Sequence, residues 1–304
     1  MRFTVAICTW NRAPLLSEAL ERLTHVRQPP GAWEVLVVNN DSADDTERVL
    51  DAFDGRLPLR RAFEPKPGLS HARNTAVRHA GGDYVVWIDD DALVDADWLA
   101  AYGRAAALHP EASVFGGPVR PLFEGTPPPW LSAAWQETGA AYAARDLGGE
   151  PFELRVGGEL PYGTNFVIRT REQRQFAYDP RLGRKGAGGA LGEETAVIGA
   201  ILAAGGTGWW VPDASVEHWI SRERQTVRYL RRYYALQGRT FYKGEGDSRP
   251  LLRGRPLRLW GGIIHAELAY LLTRLGGDPH RWLRHLIRAS FLRGAARKIP
   301  TLPT

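Results

Sequence analysis

The chain has 304 residues, enough to bury a substantial core as one large α/β domain or as one domain with an appendage. Hydrophobic residues at 44% and charged residues at 24% are globular values that argue against wholesale disorder, and a net charge of +5 is compatible with acidic partners such as nucleotides or an anionic membrane surface without requiring either. The single cysteine, Cys8, excludes an internal disulfide, suits a reducing cytosol and, lying in an apolar run, reads as inert packing. No signal peptide is visible at Met1-Arg2. No window is apolar enough to span a bilayer, because the best candidate, Leu259 to Leu275, carries His265, Glu267 and Arg274.

In chain order, Phe3 to Cys8 predicts a strand, and Pro14 opens a helix with Leu15, Leu16, Ala19, Leu20 and Leu23 on one face. Glu34 to Val38 predicts a second strand, closed by the turn-forming Asn39-Asn40-Asp41-Ser42, after which Asp44 or Asp45 can cap a helix toward Phe53. A third strand is expected at Leu59 to Phe63, then the breaker Pro65-Lys66-Pro67-Gly68 and a helix from Leu69 to Ala80. Tyr84 to Ile88 is an apolar fourth strand ending at three consecutive aspartates, with a helix expected from Asp95 to Leu108. Such alternation implies βαβ units and a mostly parallel sheet flanked by helices, in which ligands gather beyond the carboxyl ends of the strands. That rule gathers Thr9 to Arg12, Asn39 to Asp41 and Asp89 to Asp91 around one cleft.

The pattern becomes irregular at Gly125 to Trp130, whose three prolines predict a stiff, exposed loop. It resumes with a strand at Asn165 to Arg169, a helix from Glu193 to Ala204, and short β segments at Trp209 to Val211 and Ser215 to Ile220. Beyond Arg224 the chain reads as helical, with breaks at Gly244 to Pro256 and Gly276-Gly277. The expected division is a domain over 1–242, with a nucleotide-binding half to about 120 and an acceptor-binding half from about 121, followed by a basic helical tail over 243–304.

Asp89-Asp90-Asp91 is the sharpest local feature. Three adjacent carboxylates repel one another unless a cation or solvent offsets the charge, and oxygen ligands suit Mg²⁺ or Mn²⁺; a solvated acidic turn is the plainer alternative. Gly186-Ala187-Gly188-Gly189 lacks the Gly-Lys-Ser/Thr ending of a phosphate-binding loop, and a mobile loop over Lys185 to Leu191 is expected instead. Trp130 and Trp209 can offer sugar-stacking platforms or serve as core. In the tail, Trp282, Leu283, Leu286, Ile287, Ser290 and Phe291 share a helical face with arginines mostly elsewhere, as on a helix resting on an anionic membrane or packed on the domain. No nucleic-acid module accompanies those arginines, so nucleic acid is not expected as a partner.

Taken in order, Phe3 to Arg12, Val37 to Thr46, Gly68 with Ala72-Arg73-Asn74, Trp87 to Asp91 with its Asp-x-Asp signature, Gly192-Glu193-Glu194 before Ala203 to Gly205, and Val211-Pro212-Asp213-Ala214 with His218 resemble the motif series of the inverting family-2 glycosyltransferases. The resemblance implies a GT-A fold and inverting transfer of a sugar from a nucleotide-sugar donor to a glycan, lipid-linked or other hydroxyl acceptor, with Mn²⁺ or Mg²⁺, in surface-polysaccharide or glycan assembly. The single cysteine and the basic tail suit a cytoplasmic protein, free or peripheral on the cytoplasmic face of a membrane. The resemblance assigns Thr9, Asn39 and Arg73 to the nucleoside, with Asn11, Arg12 and Asp41 in the same site. It further assigns Asp89 and Asp90 to the ribose and donor phosphates and Asp91, with Asp89 and His218, to the metal. Glu194 is implied as general base with Glu193 as rival. Two positions depart from the family pattern, Asn39 and Glu194 each standing where an Asp is usual. The alternatives are a degenerate transferase kept as a nucleotide-binding scaffold and, against the missing glycine-rich signature, a sugar-1-phosphate nucleotidyltransferase.

Overall fold

The computed structural model describes residues 1–185, 188–242, 251–252 and 255–297. Its elements are, in order, β1 (Arg2–Thr9), α1 (Ala13–Thr24), β2 (Ala32–Asn39), α2 (Thr46–Phe53), β3 (Leu59–Phe63), α3 (Leu69–His79), β4 (Tyr84–Asp89), β5 (Ala92–Val94), α4 (Trp98–Leu108), β6 (Val114–Gly116) and β7 (Val119–Phe123). There follow α5 (Pro129–Ala133), α6 (Trp135–Thr138), a 3₁₀ turn (Gly139–Tyr142), β8 (Phe152–Leu154), β9 (Asn165–Arg169), α7 (Thr170–Gln175), β10 (Arg184–Lys185), β11 (Gly188–Gly189) and α8 (Glu193–Ala203). The chain continues through β12 (Gly208–Trp210), β13 (Val216–Ile220), α9 (Val227–Phe241), β14 (Leu251–Leu252), β15 (Arg255–Pro256), α10 (Leu257–Leu275) and α11 (Pro279–Ala296). The α/β class and mostly parallel sheet expected from the alternation are what the structure shows.

Two compact units divide the chain, one formed by Met1–Leu122, Ala143–Ala187 and Gly192–Trp219, the other by Phe123–Tyr142, Gly188–Leu191 and Ile220–Thr304. The first is built on an eight-stranded sheet in the order β3-β2-β1-β4-β9-β6-β12-β8, in which β8 and β9 run against the other six strands. Because side chains alternate across a strand, Val5 and Ile7 of β1 face one core with α1 and α4, while Ala6 faces a second core with α3 and α8. Burial on both faces is why β1 and β2 are near-continuous apolar runs. At the sheet edge β3 is largely exposed, and its Arg60 and Arg61 pair with Glu34 and Asp51.

Where the sequence predicts a helix from Asp95, the structure begins α4 only at Trp98, since Ala92 to Val94 first pairs as β5 with β13. This three-residue strand is too short for an alternation signal, yet its pairing brings His218 opposite Ala92, one residue beyond the aspartates. The three-residue strands β6 and β8 escape sequence reading for the same reason, and β7 escapes it because Pro121 interrupts its five residues. Gly186 and Ala187, at the centre of the loop expected to be mobile, and most of the Gly244 to Pro256 break lie outside the described residues.

The second unit is a helical layer with its own core of Leu131, Tyr142, Leu230, Tyr234, Tyr270, Trp282, Leu283 and Leu286. Helices α9 and α11 meet backbone to backbone: a Cβ at Gly238 would lie 1.9 Å from the Phe291 carbonyl, and one at Gly294 would lie 1.8 Å from that of Ala235. One expectation changes here and one open choice is decided. Trp130 is half-buried on α5 and packs on Trp282 with ring centroids 5.6 Å apart, because Pro129 starts a short helix instead of prolonging a loop. The apolar face of α11 is interior, so Trp282, Leu283 and Leu286 are core and not a surface for lipid. Among the described residues no helix is long and apolar enough to cross a membrane.

Candidate active site

Within the first unit, the carboxyl ends of β1 and β4 deliver Thr9 and Asp89, in adjacent strands whose registers match Cys8 with Asp89. After β1 and β2 the chain turns through residues held at positive φ, Asn11 at 52° and Asp41 at 63°, a conformation Asn and Asp tolerate better than most. Those turns are tied together. The Asn11 amide N–H donates to Ser42 Oγ at 3.0 Å and its side-chain oxygen accepts from the Ala43 N–H at 2.7 Å. Asp44 accepts from the Ala13 N–H at 2.8 Å. Asn39 is buried, donating to Glu47 at 2.6 Å and accepting from the Ser42 N–H at 2.8 Å. Asn11 and Asn39 are thus engaged with the loops around the cleft, while Asp41 stands exposed at the turn.

The three aspartates diverge. Asp89 accepts from Thr164 Oγ1 at 2.8 Å and lies 3.7 Å from the Arg73 guanidinium. Asp90 accepts from Thr9 Oγ1 at 2.8 Å and from Arg12 Nη1 at 2.9 Å. Arg12 also reaches Asp91 Oδ2 at 2.9 Å, and the other oxygen of Asp91 faces His218 Nε2 at 3.2 Å. Burial raises the Asp90 carboxyl to about 6, the Arg12 charge opposing and the neighbouring Asp91 charge adding to that rise. For Arg12 burial works against its charge, yet the two aspartates more than offset this and hold the guanidinium firmly protonated. Cys8, also behind this cluster, has its thiol pushed up to about 12 by burial, which keeps it inert.

A second carboxylate pair opens α8. Gly192 caps the helix at φ 88°, and Glu193 and Glu194 occupy the first turn, where the helix dipole favours negative charge. Arg73, 2% exposed, joins the two halves of the site: it donates to Glu193 Oε1 at 3.1 Å and to the Gly163 carbonyl at 3.0 Å. Its guanidinium lies within 5.4 to 5.6 Å of the ring centroids of Trp87, Phe166 and Tyr178. Glu193 is buried, and that burial together with the Glu194 charge raises its carboxyl to about 8 despite Arg73. Glu194 is half-exposed and accepts from the Gly163 N–H at 3.3 Å. A side chain at Gly163 would crowd both Arg73 and Glu194, at 2.9 and 3.2 Å from an added Cβ. The structure therefore brings Thr9, Arg12, Asp90, Asp91 and His218 together in one cluster, and Arg73, Asp89, Glu193 and Glu194 in a second.

Sequence reasoning missed Gly163 and Thr164. Their one signal is a small and polar pair immediately before the apolar strand that starts at Asn165. Trp209 is partly buried within β12 and stacks on His109 with centroids 3.7 Å apart. Among the described residues no group of three or more His, Cys, Asp or Glu side chains is gathered to hold an ion. The Asp91–His218 pair nonetheless fits a divalent cation as two of its ligands, since a buried carboxylate oxygen and imidazole nitrogen face each other directly. Asp89 is not part of that pair.

The sequence profile of glycosyl transferase family 2 matches residues 4–162, more than half of the chain. The chain belongs to this family. The glycosyltransferase is 27% identical over 248 residues to the succinoglycan biosynthesis protein ExoM of Rhizobium meliloti, covering 79% of this chain and 74% of the relative. It is 26% identical over 190 residues to a glucosyl-dolichyl phosphate glucuronosyltransferase of Haloferax volcanii, covering 61% of this chain and 58% of the relative. Its fold matches that of the mannosyltransferase PcManGT from Pyrobaculum calidifontis, solved with GDP-Man and Mn²⁺, with a TM-score of 0.63 at 20% identity over 97% of this chain and 86% of the other. The glycosyltransferase thus has the GT-A architecture, with its carboxylates at the carboxyl edge of the parallel strands.

Proposed function

We propose that this glycosyltransferase moves a sugar, with inversion, from a nucleoside-diphosphate sugar to a hydroxyl of a growing surface polysaccharide or its lipid-linked precursor. The observation that carries the reading is the joining of Asp89, at the end of β4, to the first turn of α8 through the buried Arg73, which leaves Glu194 as the accessible carboxylate of the pair. The acceptor class follows the relatives, one of which acts in succinoglycan biosynthesis and another of which is a transferase to a glucosyl-dolichyl phosphate.

In this mechanism the acceptor oxygen attacks the anomeric carbon from the side opposite the diphosphate. The carbon–oxygen bond to phosphate breaks, and the acceptor proton passes to Glu194. Glu193 and Arg73 hold α8 so that Glu194 stays in place. Arg12 and Thr9 fix Asp90 and orient the loop that carries Asp91. Asp91 and His218 would hold Mn²⁺ or Mg²⁺, and the mixed oxygen and nitrogen donor pair favours Mn²⁺. When bound, that cation would supply Lewis-acid stabilisation of the departing diphosphate.

The test screens UDP-, GDP- and dTDP-sugars by thermal shift, with and without Mn²⁺, and then follows release of the nucleoside diphosphate. A metal-dependent rise in Tm with one nucleotide class is expected, because a ligand of the folded state raises its stability. Glu194→Gln should retain that shift while its turnover falls about 100-fold or more, the usual scale for a lost general base. Wild-type turnover in Glu194→Gln would transfer the base role to Glu193, and no shift with any nucleotide in the folded protein would refute the donor site.

A further inference from the structure

The second unit carries a feature that sugar transfer does not use. Helix α10 buries Leu259, Ile263, Ala266 and Tyr270 and leaves the opposite face uncovered by any described residue. That face is a row of aliphatic side chains, Leu257, Ile264, Leu268, Leu271, Leu272 and Leu275, with exposures from 50% at Leu257 to 88% at Leu275. At 100° per residue Leu257, Ile264, Leu268, Leu271 and Leu275 fall within about 40° of a common direction, and the row runs roughly 27 Å along the helix at 1.5 Å per residue. Isolated exposed leucines need no explanation, whereas a continuous stripe marks an interaction surface.

The charge of the hairpin that carries the stripe selects its partner. Arg258 and His265 flank it on α10, while Arg274 turns onto Tyr270 and Trp282 and Arg293 pairs with Glu267; α11 adds Arg281, Arg284 and Arg288 and has no acidic residue. From 257 to 297 there are seven arginines against two acidic residues, Glu267 and Asp278, so this hairpin holds an excess equal to the net charge of the whole chain, +5. A second copy of the chain docking through this face would set one basic hairpin against another. An anionic bilayer meets both demands, taking the aliphatic row into the acyl boundary while its headgroups face the arginines. We propose that the exposed face of α10 is the membrane-contact surface of this protein and that it lies in the interface of anionic lipid. The apolar face of α11 takes no part, being interior.

The experiment is flotation of the full chain with vesicles of phosphatidylcholine alone and with roughly one-third phosphatidylglycerol. The expected result is binding to the anionic vesicles, at least about tenfold weaker on the neutral ones and weakened by about 0.5 M salt. Leu268→Gln with Leu272→Gln replaces two exposed side chains, so Tm and circular dichroism stay at wild-type values while anionic-vesicle binding falls about tenfold or more. Failure of the wild-type protein to float with anionic vesicles overturns the proposal, as does equal binding by the folded double variant. A dimer in solution that the same two substitutions dissolve also overturns it, in favour of a second copy as the occupant.

Discussion

Glu193 and Glu194 are neighbours of identical chemistry placed in different surroundings, and the difference can be titrated. Burial raises the folded-state carboxyl of Glu193 to about 8, far above its ordinary value of 4.5. Between those two values the folded chain holds a proton that the unfolded chain releases. The stabilisation is complete below about 4.5 and is lost as pH rises through about 8, with a slope of at most about 1.4 kcal/mol per pH unit. Urea unfolding at a series of pH values should show wild-type stability declining across this window, and Glu193→Gln, which keeps an oxygen for Arg73, should flatten that decline. An unchanged slope in the variant would assign the pH dependence elsewhere. Glu194→Gln removes a charge that adds to this rise, so it should draw the upper end of the window below about 8 without abolishing the decline, and it should lose turnover, which separates the two carboxylates by readout as well as by position.

At the scale of elements, two contacts test how the units are held. Asn165, at the start of β9 and fully buried, accepts from Trp98 Nε1 at 2.9 Å and from the Tyr102 hydroxyl at 2.8 Å, and donates to the carbonyls of Pro118 at 3.0 Å and Ala214 at 2.7 Å. One amide thus ties β9 to α4 and to the segments after β6 and β12. Asn165→Leu removes all four bonds and should cost about 3 kcal/mol or more, read as a lower urea midpoint, because the partners remain buried and unsatisfied. Gly238 gives a prediction whose sign is informative. Helix propensity alone favours alanine there by about 1 kcal/mol. Contact with the Phe291 carbonyl opposes it, so Gly238→Ala should instead destabilise the chain by about 1–3 kcal/mol. A more stable variant would show that α9 and α11 have room to part.

For the molecule as a whole, the parallel half of the sheet was legible because β1, β2 and β4 are apolar runs bounded by turn residues, and their order placed Thr9 and the aspartates at one edge. What could not be read came from pairings distant in sequence. Ala92 to Val94 gives no local signal, and only its partnership with Val216 to His218 brings the imidazole to Asp91. Arg73 illustrates the same limit in reverse: the residue was conspicuous, but its enclosure by Trp87, Phe166 and Tyr178 needs three separate elements to meet. Likewise the amphipathic pattern of α11 was plain, while the identity of its covering surface was not, since a buried face and a lipid-facing face have the same periodicity.

The position of β9 also sets an order of events during synthesis. It lies between β4 and β6 in the sheet, yet its residues leave the ribosome about 80 positions after those of β4. Until then the nascent chain presents the open side of Tyr84 to Asp89, an apolar strand edge with unpaired peptide groups, to whatever it meets. Translation speed across the intervening residues, from Ala92 to Thr164, and any chaperone that shields this edge therefore bear on the yield of active enzyme, although neither touches the finished site.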